Sequence, residues 1–322
     1  MASVGEVALP RAHREAILSQ ATAAAIMVAL LVVAPFVLYP IFLMKALCFA
    51  LFACAFNLLI GYVGLVSFGH ALYFGWASYL AAYAAKTWGL PPELALLTGT
   101  TTAAALGAIA GVIAIRRQGI YFAMITLALA QMMYLVALRV KLTGGEDGIQ
   151  AVPRGRLFGI FNLSDETTMY VFVLVVVLAA FFFIYRIVNS PFGEVLKAIR
   201  ENEQRAISLG YSTDRYKLVA FILSAALAGL AGSMKALVFQ LASLTDVHWN
   251  MSGEVVLITR VGGLGTIFGP VVGAFFIVAL ENYLAPFGQW VLVIQGVIFV
   301  VCVVVFRRGI IGELAHLLRV RL

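Results

Sequence analysis

The chain has 322 residues, of which 63% are apolar and only 11% charged, with a mean hydropathy of +1.02 and a formal net charge of +7. A soluble domain is about half apolar and about a quarter charged, so this composition excludes an ordinary globular domain and points to the bilayer. The basic excess does not indicate nucleic acid, because Lys and Arg sit beside apolar runs and form no continuous patch.

Residues 1–20 are polar and carry Arg11, His13 and Arg14. The run from Ala21 to Tyr39 is too long for the apolar region of a signal peptide and lacks a cleavage site, so it reads as a first span with a cytoplasmic start. Further spans are predicted at 42–60, 64–85, 93–115, 119–138, 168–188, 216–240, 251–268, 271–286 and 289–306. The fold class is therefore all-α: a polytopic transmembrane helix bundle of about ten spans with both termini cytoplasmic. Eight spans plus re-entrant segments is the alternative, since the fifth, eighth and ninth runs are short or interrupted by Gly and Pro. No stretch rich in Pro, Gly or Ser divides the chain, so residues 1–322 are read as one transmembrane domain. Its polar parts are the N-terminal segment 1–20, an extracytoplasmic loop 139–167 and a cytoplasmic loop 190–215.

The positions of Lys and Arg orient this bundle, because loops rich in them stay in the cytoplasm. With both termini inside, Arg11, Arg14, Arg116, Arg117, Arg186, Lys197, Arg200, Arg205, Arg215, Lys217, Arg307, Arg308, Arg319 and Arg321 fall inside. Only Lys86, Arg139, Lys141, Arg154 and Arg156 fall outside, and Lys45, Lys235 and Arg260 lie in spans. Cys48, Cys54 and Cys302 all sit in apolar runs, with no metal spacing and no disulfide framework, and read as packing residues.

Two apolar stretches are rich in glycine: GYVGLVSFGHALYFG, 61–75, and GGLGTIFGPVVG, 262–273. Gly265, Gly269 and Gly273 repeat at helical spacing, which suits close helix packing. Pro270 lacks an N–H and should break or kink a helix there. The other reading is a pair of broken helices lining a path. The candidate lining set is Asn57, Ser67, His70, Thr126, Gly265 and Gly269. His70 needs a partner or water at membrane depth, and Ser67, one turn earlier, is a candidate partner. Asn57 suits an interhelical hydrogen bond. Glu254, Arg260 and Glu281 are the ionisable groups of the late spans, and an Arg260–Glu281 pair is a guess from their positions. TGGEDGI, 143–149, has glycines that permit turns with positive φ; it is an ordinary solvated loop or a docking surface for an external protein.

Residues 190–217, SPFGEVLKAIRENEQRAISLGYSTDRYK, form a charged amphipathic island between two apolar runs. They predict a helical cytoplasmic loop, with a helix over Val195–Leu209 stopped by Gly210, at a docking point for a soluble partner. No phosphate-binding loop, HExxH or GxSxG is present, so this chain is read as no enzyme, with no metal and no cofactor of its own.

At these places the chain resembles the membrane permease subunits of high-affinity branched-chain amino acid ABC importers, specifically the larger of the two permease types. The matching pieces are the 61–75 stretch, GIYFAMITLALAQ at 119–131, TGGEDGI, GEVLKAIRENEQRAISLGYSTDRYKLVAF and VGGLGTIFGPVVGA, in family order over roughly 61–275. The resemblance implies a second homologous permease in a heterodimer, two cytoplasmic ATPase subunits holding ATP and Mg, and an extracytoplasmic substrate-binding protein, in the bacterial inner membrane. It also implies that 193–214 is the coupling loop, with Glu194, Lys197, Arg200, Glu201, Glu203, Arg205, Ala206 and Gly210 as contact candidates. Glu194, Arg200, Glu201, Glu203 and Arg205 would be rim charges. Ala206 and Gly210 have the Ala-to-Gly spacing of such loops, while Gln204 and Arg205 stand where the family pattern has Glu-Ala. Branched-chain amino acids, urea, short amides and aromatic acids are the substrates that relatives carry. The competing function is an ion-coupled secondary transporter of small amino acids or carboxylates, which calls for ionisable residues clustered at the midplane. A lipid-modifying membrane enzyme would need clustered polar groups at a membrane face, and the sequence offers none.

Overall fold

A computed structural model describes residues 11–288, 290–305 and 309–317. Residues 1–10 and the basic residues Arg307, Arg308, Arg319 and Arg321 used in the orientation argument lie outside the described residues. The long helices are α1 (Arg11–Val33), α2 (Pro40–Tyr62), α3 (His70–Lys86), α4 (Pro92–Ala114), α5 (Ile120–Arg139) and α6 (Glu166–Val188). Two short helices follow, α7 (Pro191–Glu201) and α8 (Glu203–Ser208). The rest are α9 (Thr213–Phe239), α10 (Leu244–Val247), α11 (Trp249–Gly262), α12 (Gly269–Leu284), α13 (Trp290–Val305) and α14 (Gly309–Leu317). Among the described residues, α2, α4, α5, α6 and α9 are long and apolar enough to cross a membrane. Shorter apolar helical stretches are Thr22–Phe36, Gly269–Leu284 and Val293–Cys302.

The bundle is built around α2, which is apolar on every side and buried from Leu43 to Tyr62 apart from Lys45 and Ile60. A helix with no polar face must be enclosed, by protein or by lipid. Here α6, α9, α11 and α12 enclose it, and α3 and α4 complete the packing through α9. Small residues set the spacing. A Cβ at Gly232 on α9 would lie 2.0 Å from the Phe74 carbonyl oxygen on α3, so only glycine admits this approach. By contrast α4, α5 and α6 each bury one face and expose Ile109, Val112, Met124, Leu135, Val175 and Phe182, a surface suited to lipid.

The two ends of the bundle differ. At one end β1 (Ile149–Gln150) pairs antiparallel with β4 (Leu241–Ala242), and β2 (Arg156–Leu157) with β3 (Phe161–Asn162). The 140–165 connection is thus partly ordered by strands. In it Gly144, Gly145 and Gly148 take positive φ, as the TGGEDGI turn requires. At the other end lie the turns 115–119 and 263–268, the C-terminus of α2, and α7–α8; Gln118 bonds Glu203, and Arg200 bonds Gly61.

Several sequence-based boundaries change. The span expected at 64–85 starts only at His70, because residues 63–69 are not helical. The segment expected at 251–268 stops at Gly262, and α12 begins at Gly269. Gly265, Gly269 and Gly273 therefore do not share one helix. Gly265 has φ +74 in the turn, and Pro270 sits in the first turn of α12, where a missing N–H costs nothing.

Candidate functional site: the α7–α8 segment and the glycine turns

The chain turns sharply out of α6 into α7. Ser190 caps α7, its hydroxyl accepting from the Gly193 N–H at 3.3 Å, and Pro191 follows at the first helical position. The α7 face carrying Gly193, Leu196 and Ile199 is buried, and Glu194, Ala198, Arg200 and Glu201 are exposed. The helix expected over Val195–Leu209 is in fact two. Asn202 adopts extended backbone (φ −157) and caps α8 by accepting from the Arg205 N–H at 3.0 Å. An Asn side chain competes with the helix for backbone partners, and here it wins. Helix α8 ends as the sequence predicts: Gly210 has φ +89, its N–H reaches the Ile207 carbonyl at 2.9 Å, and the Tyr211 N–H reaches Ala206 at 3.1 Å. This is a Schellman stop, whose left-handed residue favours glycine.

The charges of this segment divide into two groups. Lys197 pairs with Glu194 at 2.8 Å on the surface, and Glu201 and Arg205 are exposed. Arg200 and Glu203 send their charged ends inward. Glu203 bonds the buried Lys217, accepts from Thr213 Oγ1 at 3.2 Å and from Gln118 Nε2 at 2.7 Å. Lys217 is 2% exposed. Ala206 is buried, and Gly210 faces open space. Five rim charges were expected; Glu203 is instead a structural anchor, because a buried ammonium must be paired.

Beneath the segment lie both glycine stretches. Asn57 joins them: its Nδ2 donates to the Thr266 carbonyl at 2.9 Å, and its Oδ1 accepts from the Gly265 N–H at 3.0 Å. Asn57 makes long-range hydrogen bonds as read, but to the turn between α11 and α12 and not to another helix. Residues 63–69 are not helical; Gly64 and Val66 are exposed, Val63, Leu65, Ser67 and Gly69 are buried, and hydroxyls take up donors of the following backbone. The Phe68 N–H bonds Thr126 at 3.1 Å, the Gly69 N–H bonds Ser67 at 3.2 Å, and the Ala71 N–H bonds Ser252 at 2.9 Å. Irregular backbone at membrane depth is tolerated only when buried and satisfied in this way.

His70 and Ser67 are fully buried, as expected of polar groups in a bundle. They are not partners. His70 Nε2 lies 2.9 Å from Ser224 Oγ, and Ser224 donates onward to the Ala55 carbonyl at 2.5 Å. Phe56, Tyr73 and Phe221 surround the imidazole edge-on. The six candidate lining residues fall in two places: Asn57 and Gly265 share the joint with Gly269 close by, and Ser67, His70 and Thr126 surround the broken segment. Gly269 donates to Thr266 Oγ1 at 3.1 Å within the 263–268 turn.

Nor does Arg260 pair with Glu281; Arg260 is exposed, and Glu281 binds Lys45 at 2.9 Å with Glu254 alongside. Lys235 pairs with the buried Asp246 at 2.7 Å. Sequence reasoning missed Ser224, Ser252, Lys217 and Asp246. A serine inside an apolar run is a signal for Ser224 and Ser252, whose partners lie more than 150 residues away, whereas Lys217 and Asp246 find theirs 14 and 11 residues away.

A family model described as "Branched-chain amino acid transport system / permease component" matches residues 38–304. The chain belongs to this family. That range takes in both glycine stretches and α7–α8. The chain is 27% identical over 278 residues to the high-affinity branched-chain amino acid transport system permease protein LivM of Escherichia coli K12, covering 79% of this chain and 65% of the relative. It is 28% identical over 157 residues to a probable branched-chain amino acid transport permease protein LivH of Methanocaldococcus jannaschii, covering 46% of this chain and 47% of that one. A third relative is the autoinducer 2 import system permease protein LsrC of Photorhabdus laumondii, 30% identical over 99 residues, or 29% of this chain and 30% of the relative. The chain thus spans 65% of the length of the LivM relative. No solved structure matches it. Family and apolar helices together make this a multi-pass membrane protein.

Proposed function

We propose that the chain is the membrane-spanning permease subunit of a binding-protein-dependent ABC importer of the bacterial inner membrane. Its cargo class is branched-chain amino acids or a related small polar solute such as urea, a short amide or an aromatic acid. The observation that carries this reading is the α7–α8 segment: two short capped helices set across one end of the bundle, in a chain whose family is defined by transport permeases. The chain crosses the membrane ten times as a single domain with both termini cytoplasmic. The α7–α8 end then faces the cytoplasm, in keeping with its Lys and Arg, and the strand-bearing end faces out.

In this reading Glu194, Lys197, Glu201 and Arg205 present charge to a cytoplasmic ATPase subunit, and Gly210 sets the angle at which α8 ends. A second homologous permease, two ATPase subunits holding ATP and Mg, and an external binding protein complete the machine. The pathway passes near the Asn57 joint and the hydroxyl-lined broken segment. The test is reconstitution in liposomes. Uptake of leucine, isoleucine or valine is expected only when the second permease, the ATPase subunits, the binding protein and ATP are all present. Accumulation by this chain alone under a proton or sodium gradient would mean an ion-coupled carrier instead.

A further inference from the structure

Arg200 lies on the exposed side of α7, yet its tip points into the bundle. Its Nη1 donates to the Gly61 carbonyl. A Cβ at Gly64 would lie 3.1 Å from the arginine's Cγ, and one at Gly265 would lie 3.1 Å from Nη1. One side chain thus rests on both glycine stretches at once. The two stretches also touch each other, since a Cβ at Gly61 would be 2.8 Å from the Gly265 nitrogen and 2.3 Å from Asn57 Oδ1.

The site is built for a cation. Gly61 is in the last turn of α2, where carbonyls lack helical partners and the helix dipole is negative. The Val63, Gly64 and Leu65 N–H groups all converge on the Leu59 carbonyl, so the Gly61 carbonyl is left to Arg200. A guanidinium satisfies it through Nη1, the same atom that lies beside Gly265. The absence of Cβ atoms at Gly64 and Gly265 is what lets the side chain in, while its absence at Gly61 lets that residue lie close to Asn57 and Gly265. A surface arginine held only by lipid headgroups would extend outward along the interface, and this one does not.

We propose that Arg200 is a positioning residue that joins the α7–α8 segment to the ends of α2 and α11, so that a displacement of α7 is delivered to the Gly61–Gly265 joint. The inference rests on the reading of α7–α8 as the coupling segment, and it gives Arg200 a role distinct from that of an ATPase-facing charge. Asn57 is the other half of the same joint and, being 3% exposed, cannot itself touch a soluble partner.

Two measurements test it. The first is amide hydrogen exchange on the purified full-length chain in detergent. In Arg200→Ala, exchange is expected to rise about tenfold at residues 61–66 and at 263–266 together, with α3, α4 and α9 unchanged. An intermediate rise is expected in Arg200→Lys, which keeps one donor for Gly61. Unchanged exchange in both stretches overturns the joint, and a rise throughout the chain overturns it as well, because it would mean general unfolding. The second is the ratio of binding-protein-stimulated to unstimulated ATP hydrolysis in the assembled importer. Arg200→Ala and Asn57→Ala are both expected to lower that ratio about tenfold while the ATPase subunits still co-purify. Release of the ATPase by Arg200→Ala, or an unchanged ratio in either variant, overturns the positioning role. If the wild-type chain does not hold ATPase subunits at all, the permease reading fails, and the joint is judged on exchange alone.

Discussion

At the strand-bearing end, backbone bonds join distant segments and side-chain tips reinforce them, whereas at the α7–α8 end a few side-chain tips hold neighbouring segments together. The first has the β1–β4 pairing, the Val152 N–H on the Gln240 carbonyl at 3.1 Å, and Arg154 and Lys86 each bonded to a carbonyl. The second has Arg200 on Gly61, Asn57 on the 263–268 turn, and Glu203 on Lys217 and Gln118. Backbone ladders make a connection that resists sliding. Side chains against glycine make contacts that can separate and re-form without unfolding a helix. A machine that must transmit motion at one end and hold shape at the other would divide its contacts in this way.

The comparison can be broken at its two buried ion pairs. Asp246 is the more enclosed acid, 2% exposed, and it also accepts from the Ser243 N–H. Replacing it by Ala leaves Lys235 without its carboxylate, and we expect a loss of about 3–5 kcal/mol, read as a fall in the detergent unfolding midpoint. An unchanged midpoint would show that this end does not depend on the pair. Glu203→Ala exposes the same weakness at the other end. Its carboxylate is 19% exposed, so the expected cost is smaller, about 2 kcal/mol. Its signature should be local, with faster exchange at 115–119 and 203–213; a uniform change across the chain would contradict the anchor role.

Gly210→Val sharpens the contrast. Nothing lies within 4 Å of a Cβ there, so the penalty is that of holding a β-branched residue at φ +89, about 1–2 kcal/mol. Because that strain re-aims the end of α8, uptake by the assembled importer should fall while expression stays normal. Normal uptake in a normally expressed variant would remove Gly210 from the coupling reading. The smallest expected effect is a pH dependence confined to one cap. Asp165 caps α6 and accepts the backbone and hydroxyl donors of Thr168, which hold its carboxyl below the usual range. Its contribution is therefore present above about pH 3.9, the value in an unfolded chain, and fades as pH falls through the lower folded value. Ser190, the cap of α7, has no such proton to gain. Protection at 166–169, measured against the intrinsic exchange rate at each pH, should fall on acidification and protection at 191–194 should not; equal responses would break the distinction.

Much of this could be read from the sequence because it depended on local chemistry. Composition fixed the membrane class, and apolar runs marked the long helices. Gly210 after a helical stretch announced its own left-handed stop. Asn57 was read as a hydrogen-bonding residue between helices, though not what it would bond. The failures share a cause. Asn202 splits α7 from α8 amid good helix formers, so periodicity runs straight through it. Ser67 was paired with His70 because they are close in sequence, but the imidazole found Ser224, 154 residues away. Arg260 was assigned to Glu281 by proximity of spans, and Lys45, from the central helix α2, holds that carboxylate instead. Inside an apolar bundle a polar group takes whichever partner tertiary packing brings, and one sequence does not encode that geometry locally.

The broken stretch before α3 also constrains how the protein is made. The Ala71 N–H is satisfied by Ser252, a residue synthesised 181 positions later. A nascent chain that has delivered α2 and α3 to the membrane but not yet α11 holds an unmet donor within the apolar layer. The start of α3 therefore reaches its final hydrogen bonding only once α11 has been made. A chain stopped after residue 240 should be cleaved by membrane proteases between α2 and α3, and the full-length chain should not.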